Sequence, residues 1–511
     1  MTENEVIEAK MPSYTREIMT ALVNNGYEAY AVGGCIRDCL LALEPNDWDV
    51  CTSALPEQII ECMSGYRVVL TGLKHGTVTV VAKGDVSGTA AVDDAASIVS
   101  AADVAGCTDV AGTAGGSADA GAIGVAGDAD VAGAATTAYS YESHSTEVTT
   151  FRIDGEYSDN RHPDNVSFVN DVREDLARRD FTVNAMAYSI DKGFIDCFGG
   201  AEDLRAKIIR CVGDPDKRFA EDGLRIMRAI RFSSTYGFTI EENTDRAIRS
   251  NRDLLKNISA ERISVELDKL ILGDGASWAL EDYSDILAVI IPEIIPMFGC
   301  KQNVVFHIFD VWKHTLVCIE NSPQQRDIRL ALLLHDIGKP VCYSDDDREA
   351  DFCGHAMISA SIAEGILKRL KYDNQTIQIV THLIIHHADK FLCDKVHIKH
   401  ELKRYGVETL RKQLVMKRAD SLGKNPEFYG KNLAALDIYE KMMEEILDKK
   451  EVFSLRSLFI DGKDLIAAGI PEGRRIGEVL DALLDMVIEG VLPNEKSELL
   501  AAIKRIEYQE D

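Results

Sequence analysis

Apolar residues recur along this chain at two distinct periods. Between residues 13 and 24, Ile18, Met19, Leu22 and Val23 share one helical face, and Gly26 follows as a stop signal. The short apolar run ending at Val32 predicts a strand, which breaks on the pair Gly33-Gly34 before helical spacing returns over 36–43. Residues around 47–51 predict a second strand, and 55–63 a helix that starts after Ser53. Segments 66–70 and 77–81 are rich in β-branched residues and predict two strands joined by a turn at 72–76. The pattern then stops. Residues 84–138 are almost wholly Ala, Gly, Asp, Val, Ser and Thr, with no aromatic residue and with Asp-Val-Ala-Gly units at irregular intervals. Such a segment cannot bury enough surface to offset its ordering entropy, so it is expected to be disordered; the irregular period argues against a β-solenoid. Strand patterning resumes at 147–152, which makes 77–81 and 147–152 a hairpin whose turn has swollen. Loop closure costs only ~0.6 kcal/mol per doubling of length, so a fold can carry such an insertion.

From residue 180 onward helical spacing dominates. Residues 181–190 read as a helix, 193–198 as a short extended piece, 211–219 as a connector with Gly and Pro, and 220–236 as a strongly periodic helix. Further helices follow to about 273. A second helical region, 300–422, carries most of the histidines, and a third spans 432–511. The fold class expected is therefore α+β: an N-terminal helix (1–26), a mixed-sheet head with flanking helices (27–190) interrupted by a low-complexity insert (84–146), a helical neck (191–273), a helical histidine-rich domain (300–422) and a helical body and tail (432–511). A chain of 511 residues is too long for one core.

Charge changes this picture more than composition does. The formal net charge is −28, an unpromising balance for a protein that grips nucleic acid over its whole surface. Nine of the carboxylates lie in 84–146, which contains no Lys or Arg, yet about −19 would remain without them. Any nucleic acid must be held by local basic clusters, for which Lys403-Arg404, Arg411-Lys412 and Lys417-Arg418 are candidates beside the plainer reading of solvated helix faces. No run approaches the ~20 apolar residues a membrane span needs. The twelve cysteines form no C-x-x-C pair, and the polar, acidic N-terminus resembles no leader. Both features predict a cytoplasmic protein with reduced thiols.

Two stretches carry candidate chemistry in the head. Backbone N–H groups at the Gly33-Gly34 turn can cradle phosphate, and Arg37 lies within the first turn beyond it. Asp47 and Asp49 are two apart in a strand and so share a face; two such carboxylates repel unless a cation, typically paired Mg2+, holds them. The bland alternative is a glycine turn and an acidic loop. Farther on, Arg178-Arg179-Asp180 can serve phosphate or a base edge, or simply cap a helix. Asp222 and Arg225, at i and i+3 of a helix, offer the acceptor–donor order that suits the Watson–Crick edge of cytosine or, slightly shifted, adenine. Guanine and uracil present the reverse order. A helical salt bridge is the commoner use of that spacing. Arg228 and Arg231 drift around the helix and cannot face the same base.

The ordered segments GGCIRD (33–38), DWD (47–49), EVTTFRIDGEYSDNRHPDNVSF (147–168), RRDFTVNAMAY (178–188), CVGDP (211–215) and RFAEDGLRIMRAIRF (218–232) resemble the bacterial class II tRNA nucleotidyltransferases, the CCA-adding enzymes. The likeness runs from about residue 27 to 273, interrupted only by the insert. It implies a polymerase-β-like head in which Asp47 and Asp49 hold two Mg2+ ions and Glu147 is a third carboxylate. Gly34 and Arg37 would contact a triphosphate, and Arg179, Asp222, Arg225, Arg228 and Arg231 would form the nucleotide site. It also implies CTP, ATP and the 3′ end of tRNA as partners, and a flexible loop over 154–165. Bacterial poly(A) polymerases are close relatives, but the stretch 69–77 lacks their basic segment and resembles the CCA-adding version.

Independently, His314, His335-Asp336 in LLLHDIGKP (332–340) and Asp420 in KRADS (417–421) resemble the ligand pattern of HD-type metal phosphohydrolases. His355, His386 and His387 are further ligand candidates for a second metal, and Lys339 lies one turn beyond Asp336. Mixed imidazole and carboxylate donors suit Mn, Fe, Ni or Zn better than Mg2+ alone. The resemblance allows either a working phosphohydrolase or a vestigial spacer.

Overall fold

The computed structural model describes residues 1–72, 76–81, 145–155, 165–302, 305–342, 352 and 354–507. The segment expected to be disordered, 84–138, lies outside the described residues, as do most of the flexible-loop candidate and the centre of the 69–77 stretch.

The head is built on a seven-stranded mixed sheet. Its strands are β1 (Ala29–Val32), β2 (Asp49–Thr52), β3 (Arg67–Gly72), β4 (Thr77–Val81), β5 (Ser145–Thr150), β8 (Met186–Ser189) and β9 (Gly193–Asp196), while the short pair β6 (Arg152–Asp154) and β7 (Val166–Phe168) stands apart. The spatial order is β3-β4-β5-β2-β1-β8-β9. All pairings are antiparallel except β2 with β5, which run parallel. Side chains alternate between two cores. Ala29, Ala31, Trp48, Val50, Val148 and Tyr188 face the main core with Ile18, Met19 and Leu22 of the helix Ser13–Asn24. Tyr30, Val32, Cys51 and Ala187 face a smaller core with Phe151, Leu176 and Val212. The central strands β1 and β8 are consequently buried at every position.

Several elements differ from the sequence expectation, among them 211–219, read as a connector, which contains most of the helix Pro215–Glu221. Residues 181–190 form no helix: a single 3-10 turn (Thr182–Asn184) leads into β8, which enters the sheet between β1 and β9. The segment is apolar on both faces because both faces are covered, and that removes the alternation by which a strand is told from a buried helix. The head therefore extends past residue 190 to include β9, and β5 begins at Ser145, inside the stretch assigned to the insert.

Beyond the sheet the described residues are helical apart from one two-stranded pairing, Ile208–Ile209 with Thr239–Ile240. The main core continues from the head through the helices of 224–290 into those of 311–386, so head, neck and histidine-rich region share one apolar interior. Two further cores are separate, one over 398–446 and one over 458–503. No helix among the described residues is long and apolar enough to cross a membrane. The ten described cysteines are free thiols.

The pairing Val81↔Ser145 closes the β4–β5 ladder, so the ends of the segment 82–144 are brought face to face. A two-residue Asn-Gly turn has the length and twist to join them. Replacing 82–144 by Asn-Gly is expected to leave the far-ultraviolet circular dichroism per residue and the cooperative thermal transition intact. A molten or aggregating product would refute this view of the hairpin.

Candidate functional site

The acidic residues sit where β1 ends and β2 begins, with Glu147 on the neighbouring strand β5. Val32, the last residue of β1, pairs with Asp49, the first of β2, so the turn Gly33-Gly34 and Asp49 lie at one edge of the sheet. The parallel register Val50↔Val148 puts Glu147 beside Asp49 on the neighbouring strand. Asp47 lies just before β2, yet the alternation continues through it: Asp47 and Asp49 are exposed, while Trp48 (3 % exposed) and Val50 are buried. Truncating a buried Trp costs about 3–5 kcal/mol, so the indole pins this register and turns both carboxylates outward. Asp49 lies close among protein atoms, and its carboxyl is pushed up, first by burial and then by Glu147 and Asp47, against the pull of Arg179. Charge on Asp49 is disfavoured unless a cation joins it. Exposed carboxylates on one face suit a hard divalent ion.

Next to this row opens a cleft of about 480 Å³, lined by Gly33, Gly34, Arg37, Asp49, Arg178, Arg179, Asp180, Asn184, Asp222, Leu224, Arg225, Arg228, Arg231, Phe232 and Arg262. Gly34, Arg37, Asp49, Arg179, Asp222, Arg225, Arg228 and Arg231 thus come together from parts of the chain almost 200 residues apart. Seven lining residues are arginines, so the cleft is locally basic on a chain of net charge −28. Most of them are held in place by named partners. Arg37 donates from Nη1 to Asn184 Oδ1 (2.6 Å) and from Nε to Asp38 (2.9 Å), and its guanidinium lies 5.1 Å from the centre of the Phe232 ring. Arg228 donates from Nε to Asp180 Oδ2 (2.8 Å), while Asn184 and the Phe181 N–H satisfy Asp180 Oδ1. Burial raises the Asp180 carboxyl, but Arg228, Asn184 and Arg225 together outweigh it and hold the group well below the usual carboxylate range. Arg231 pairs with Glu266 (2.8 Å) and lies 3.9 Å from the Phe232 ring centre. Gly33 has a φ of +81°, and a Cβ there would come within 2.6 Å of Arg179 Nη1, so glycine lets that arginine approach the turn.

The expectation that Asp222 and Arg225 are neighbours on one continuous helix is not met. The helix Pro215–Glu221 ends at Asp222, which is extended (φ −141°, ψ 102°), and a new helix, Leu224–Tyr236, begins after Gly223. Asp222 Oδ1 accepts from the N–H of Leu224 (3.1 Å), the short side chain competing with helix continuation as Asp does at caps. Asp222 is gripped by Arg262, whose Nη1 and Nη2 donate to its two oxygens at 3.2 and 2.7 Å. Arg225 pairs with Glu221 (2.6 Å) and donates to the carbonyls of Arg218 and Arg178. Both side chains line the cleft, positioned by separate partners. Arg262 was not singled out in the sequence because its partner lies 40 residues away.

A second polar centre lies among the helices of 311–422. His314 Nε2 is 3.2 Å from Asp420 Oδ1 and 3.4 Å from both Asp336 Oδ2 and His335 Nε2. His355 Nε2 is 3.1 Å from His387 Nε2 and 3.4 Å from Asp336 Oδ1. The Nδ1 atoms of His314, His335, His355 and His387 each bond a backbone carbonyl, of Gly423, Leu332, Phe352 and Ile384 respectively, at 2.6–3.0 Å. Those bonds take a proton on Nδ1 and turn each Nε2 toward the centre, the arrangement by which metal-binding imidazoles are oriented. Burial pushes His314 down and His387 down to about 4, which keeps both rings neutral. Lone pairs and two carboxylates that converge in a buried space repel unless a cation lies between them. Asp336 Oδ1, fully buried, has no hydrogen-bond partner. The donor set fits a transition metal. Lys339 (2.6 Å to Asp336) and Lys424 (2.7 Å to Asp420) supply part of the balancing charge.

One candidate falls outside this centre. His386 donates from Nδ1 to Asp389 (2.6 Å) and packs against His382 and Tyr405. Adjacent residues on a helix are ~100° apart, so only His387 of the pair can face inward. The basic pairs of 403–418 are also committed elsewhere: Lys403 to Asp481 and Asp485, Arg411 to Glu444, Lys412 to Asp327, and Arg418 to Asp437 and Glu440. Lys417 donates to the carbonyl of His387, and burial lowers its ammonium.

Comparison with known proteins adds the family context. Residues 29–99 and 127–210 match the Poly A polymerase head domain, 237–298 the probable RNA- and SrmB-binding site of polymerase A, and 350–503 the putative tRNA nucleotidyltransferase domain 2. The chain is 31 % identical over 493 residues to the CCA-adding enzyme of Pediococcus pentosaceus, covering 96 % of this chain and 97 % of that one. It is 30 % identical over 496 residues to that of Lactobacillus johnsonii, with 96 % of each covered. Among solved structures, the Bacillus stearothermophilus CCA-adding enzyme in complex with CTP superposes with a TM-score of 0.63 at 27 % identity, over 98 % of this chain and 99 % of that one. The Thermotoga maritima CCA-adding enzyme complexed with tRNA shares the fold at a TM-score of 0.54 and 17 % identity, over 99 % of each.

The lone-pair geometry of the histidine centre generates a prediction. Mn2+, Co2+ or Zn2+ at about 100 times its dissociation constant is expected to stabilise the protein by about 2.7 kcal/mol, read as a rise in melting temperature. His335→Ala should abolish that rise. An equal rise in the variant would place the binding elsewhere.

Proposed function

The chain belongs to the CCA-adding enzyme family, and on that premise we propose that it adds or restores the 3′-terminal CCA of tRNA using CTP and ATP, in the cytoplasm. The observation that carries this reading is one cleft that joins an outward-facing carboxylate row to an arginine-held Asp222 and Arg225. In this reading Arg37 and Arg179, beside the glycine turn, hold the triphosphate. Asp222 accepts from the exocyclic amine of cytosine or adenine. Arg225 has five N–H donors, three of them occupied by Glu221, Arg218 and Arg178, and the others serve the ring acceptors of the base. Uracil and guanine would meet like against like, leaving buried groups unpaired at a cost of several kcal/mol. Arg262 and Glu221 act as positioning residues that fix the two readers before the base arrives.

Asp47, Asp49 and Glu147 would hold two Mg2+ ions, which when bound acidify the primer hydroxyl and neutralise the departing pyrophosphate. The chain's own contribution is placement: the register of β2 and β5 orients the carboxylates, and the arginines align the α-phosphate for in-line attack by the 3′-hydroxyl. A poly(A) polymerase would use the same head chemistry, so the nucleotide incorporated decides between them. The histidine centre favours a second reading, a metal-dependent phosphohydrolase acting on 2′,3′-cyclic or 3′-phosphate ends that would block addition. Its support is the set of Nε2 atoms that converge on the buried Asp336.

Incubation with Mg2+, labelled CTP and ATP, and tRNA lacking its last three nucleotides is expected to give C, C and A in order. No C incorporation would sink the reading, and long A tails would select the polymerase. Asp49→Ala should lower incorporation by roughly 10³-fold or more, while any phosphatase activity of the histidine centre persists. Arg262→Ala should raise misincorporation of UTP by roughly tenfold, a loss of about 1.4 kcal/mol of discrimination; unchanged selectivity would remove Arg262 from the positioning role.

A further inference from the structure

Three of the seven cleft arginines converge on one aromatic ring. Phe232 lies on the helix Leu224–Tyr236 and is 3 % exposed. The guanidinium carbon of Arg231 stands 3.9 Å from the centre of its ring, that of Arg37 5.1 Å and that of Arg228 5.4 Å. All three lie within the ~6 Å over which a ring face attracts a cation. Phe181 meets the same ring edge-on, at 5.7 Å and 87°, and Tyr236 stacks beside it at 5.9 Å and 17°. Arg37 also lies 5.0 Å from the centre of the Tyr236 ring, and the Tyr236 hydroxyl donates to Asp38 (3.3 Å). Arg37 and Asp38 belong to the head helix Gly34–Leu40, so the two rings tie that helix to the neck.

A buried phenylalanine is ordinarily a piece of core. This position asks for more, because like charges crowd it. Each of the three arginines already has one carboxylate, Asp38 for Arg37, Asp180 for Arg228 and Glu266 for Arg231. The last pairing is the least directed: Glu266 is 2.8 Å from Arg231 Nε, yet that N–H makes no hydrogen bond. Burial pushes the Arg231 guanidinium down, Glu266 draws it back up and Arg228 pushes it down again, the mark of neighbouring cations. A further carboxylate would quiet this repulsion but would also repel a triphosphate. A leucine would fill the volume and leave the cations facing one another in a poor dielectric. A ring face attracts guanidinium through its quadrupole, carries no net charge and so does not compete with phosphate.

We propose that Phe232 is a positioning residue for the triphosphate, its ring holding the guanidinium of Arg37 on the head in register with those of Arg228 and Arg231 on the neck helix. The proposal rests on the reading of the cleft as the nucleotide site. Asp222 and Arg225 are held instead by Arg262 and Glu221, so the ring acts on the phosphates and not on the choice of base. Phosphate contacts of this kind are shared by ground state and transition state, and weakening them moves KM while leaving kcat.

Phe232→Leu in the full-length protein tests it. The variant should raise KM for CTP and ATP alike by roughly tenfold, hold kcat within about twofold and leave misincorporation of UTP unchanged. Tripolyphosphate, a probe with no base, should bind the variant more weakly by the same factor in calorimetry. Phenylalanines carrying one, two or three ring fluorines at position 232 keep the shape of the ring and drain charge from its face, so tripolyphosphate affinity should fall stepwise along that series. An unchanged KM and affinity in Phe232→Leu, a loss confined to kcat, or a rise in UTP misincorporation would overturn the proposal. Equal affinity across the fluorinated series would also overturn it, and that series decides even if Phe232→Leu fails to fold. A wild type that adds no C would sink the reading of the cleft as a CCA-adding site, and tripolyphosphate binding would still decide the role of the ring.

Discussion

The side-by-side register of β2 and β5, locked by the burial of Trp48, is the constraint on which the rest of the head depends. Strand side chains alternate, so one buried indole between two aspartates determines where both carboxylates point. The parallel pairing then brings Glu147 to the same row from a segment almost a hundred residues later. A slip of one residue would carry the acids into the core and the indole into the cleft. The placement of the glycine turn inherits this register, and so do the proposed phosphate and cation sites.

The cleft beside the row is a problem in charge. Seven arginines crowd it, and several are held by a carboxylate or an amide from another element: Asp180 for Arg228, Glu266 for Arg231, Asn184 for Arg37 and Asp222 for Arg262. These pairs cost desolvation, and a substrate-sized anion shifts the balance in the cleft's favour. The acidic surface of the chain and its basic cleft are therefore compatible. Lys403, Arg411, Lys412 and Arg418 of the basic pairs, by contrast, are each paired with a carboxylate, so a run of charges in a helix says little about what it binds.

The histidine centre follows the opposite logic, since it gathers donors without gathering enough charge to quiet them. Backbone carbonyls take the Nδ1 protons of four histidines, and only a cation reconciles the Nε2 atoms that remain. Head and histidine-rich region share an apolar interior, so the two centres are mounted on one continuous body of packed helices and sheet.

By itself the sequence determined what is local. The Gly33-Gly34 turn, the shared face of Asp47 and Asp49, the β4–β5 hairpin with its long insertion, and the helical character beyond residue 200 all rest on periodicity and turn chemistry within a few residues. Motif order carried the resemblance to a family because several short signatures recur at fixed sequence. Other features depended on partners distant in the chain. Residues 186–189 form a strand within 181–190 because the sheet is covered on both faces there, and Met186, Ala187 and Tyr188 in succession carry no alternation by which to declare it. The break at Asp222-Gly223 separated Asp222 from Arg225, because a short carboxylate captured the next backbone N–H and Arg262 took the rest of it. His387 turned inward and His386 outward because a helix offers one face to its neighbours. Adjacent letters cannot state which face that is; the packing of helices 311–320, 355–369 and 407–422 around one buried point decides it.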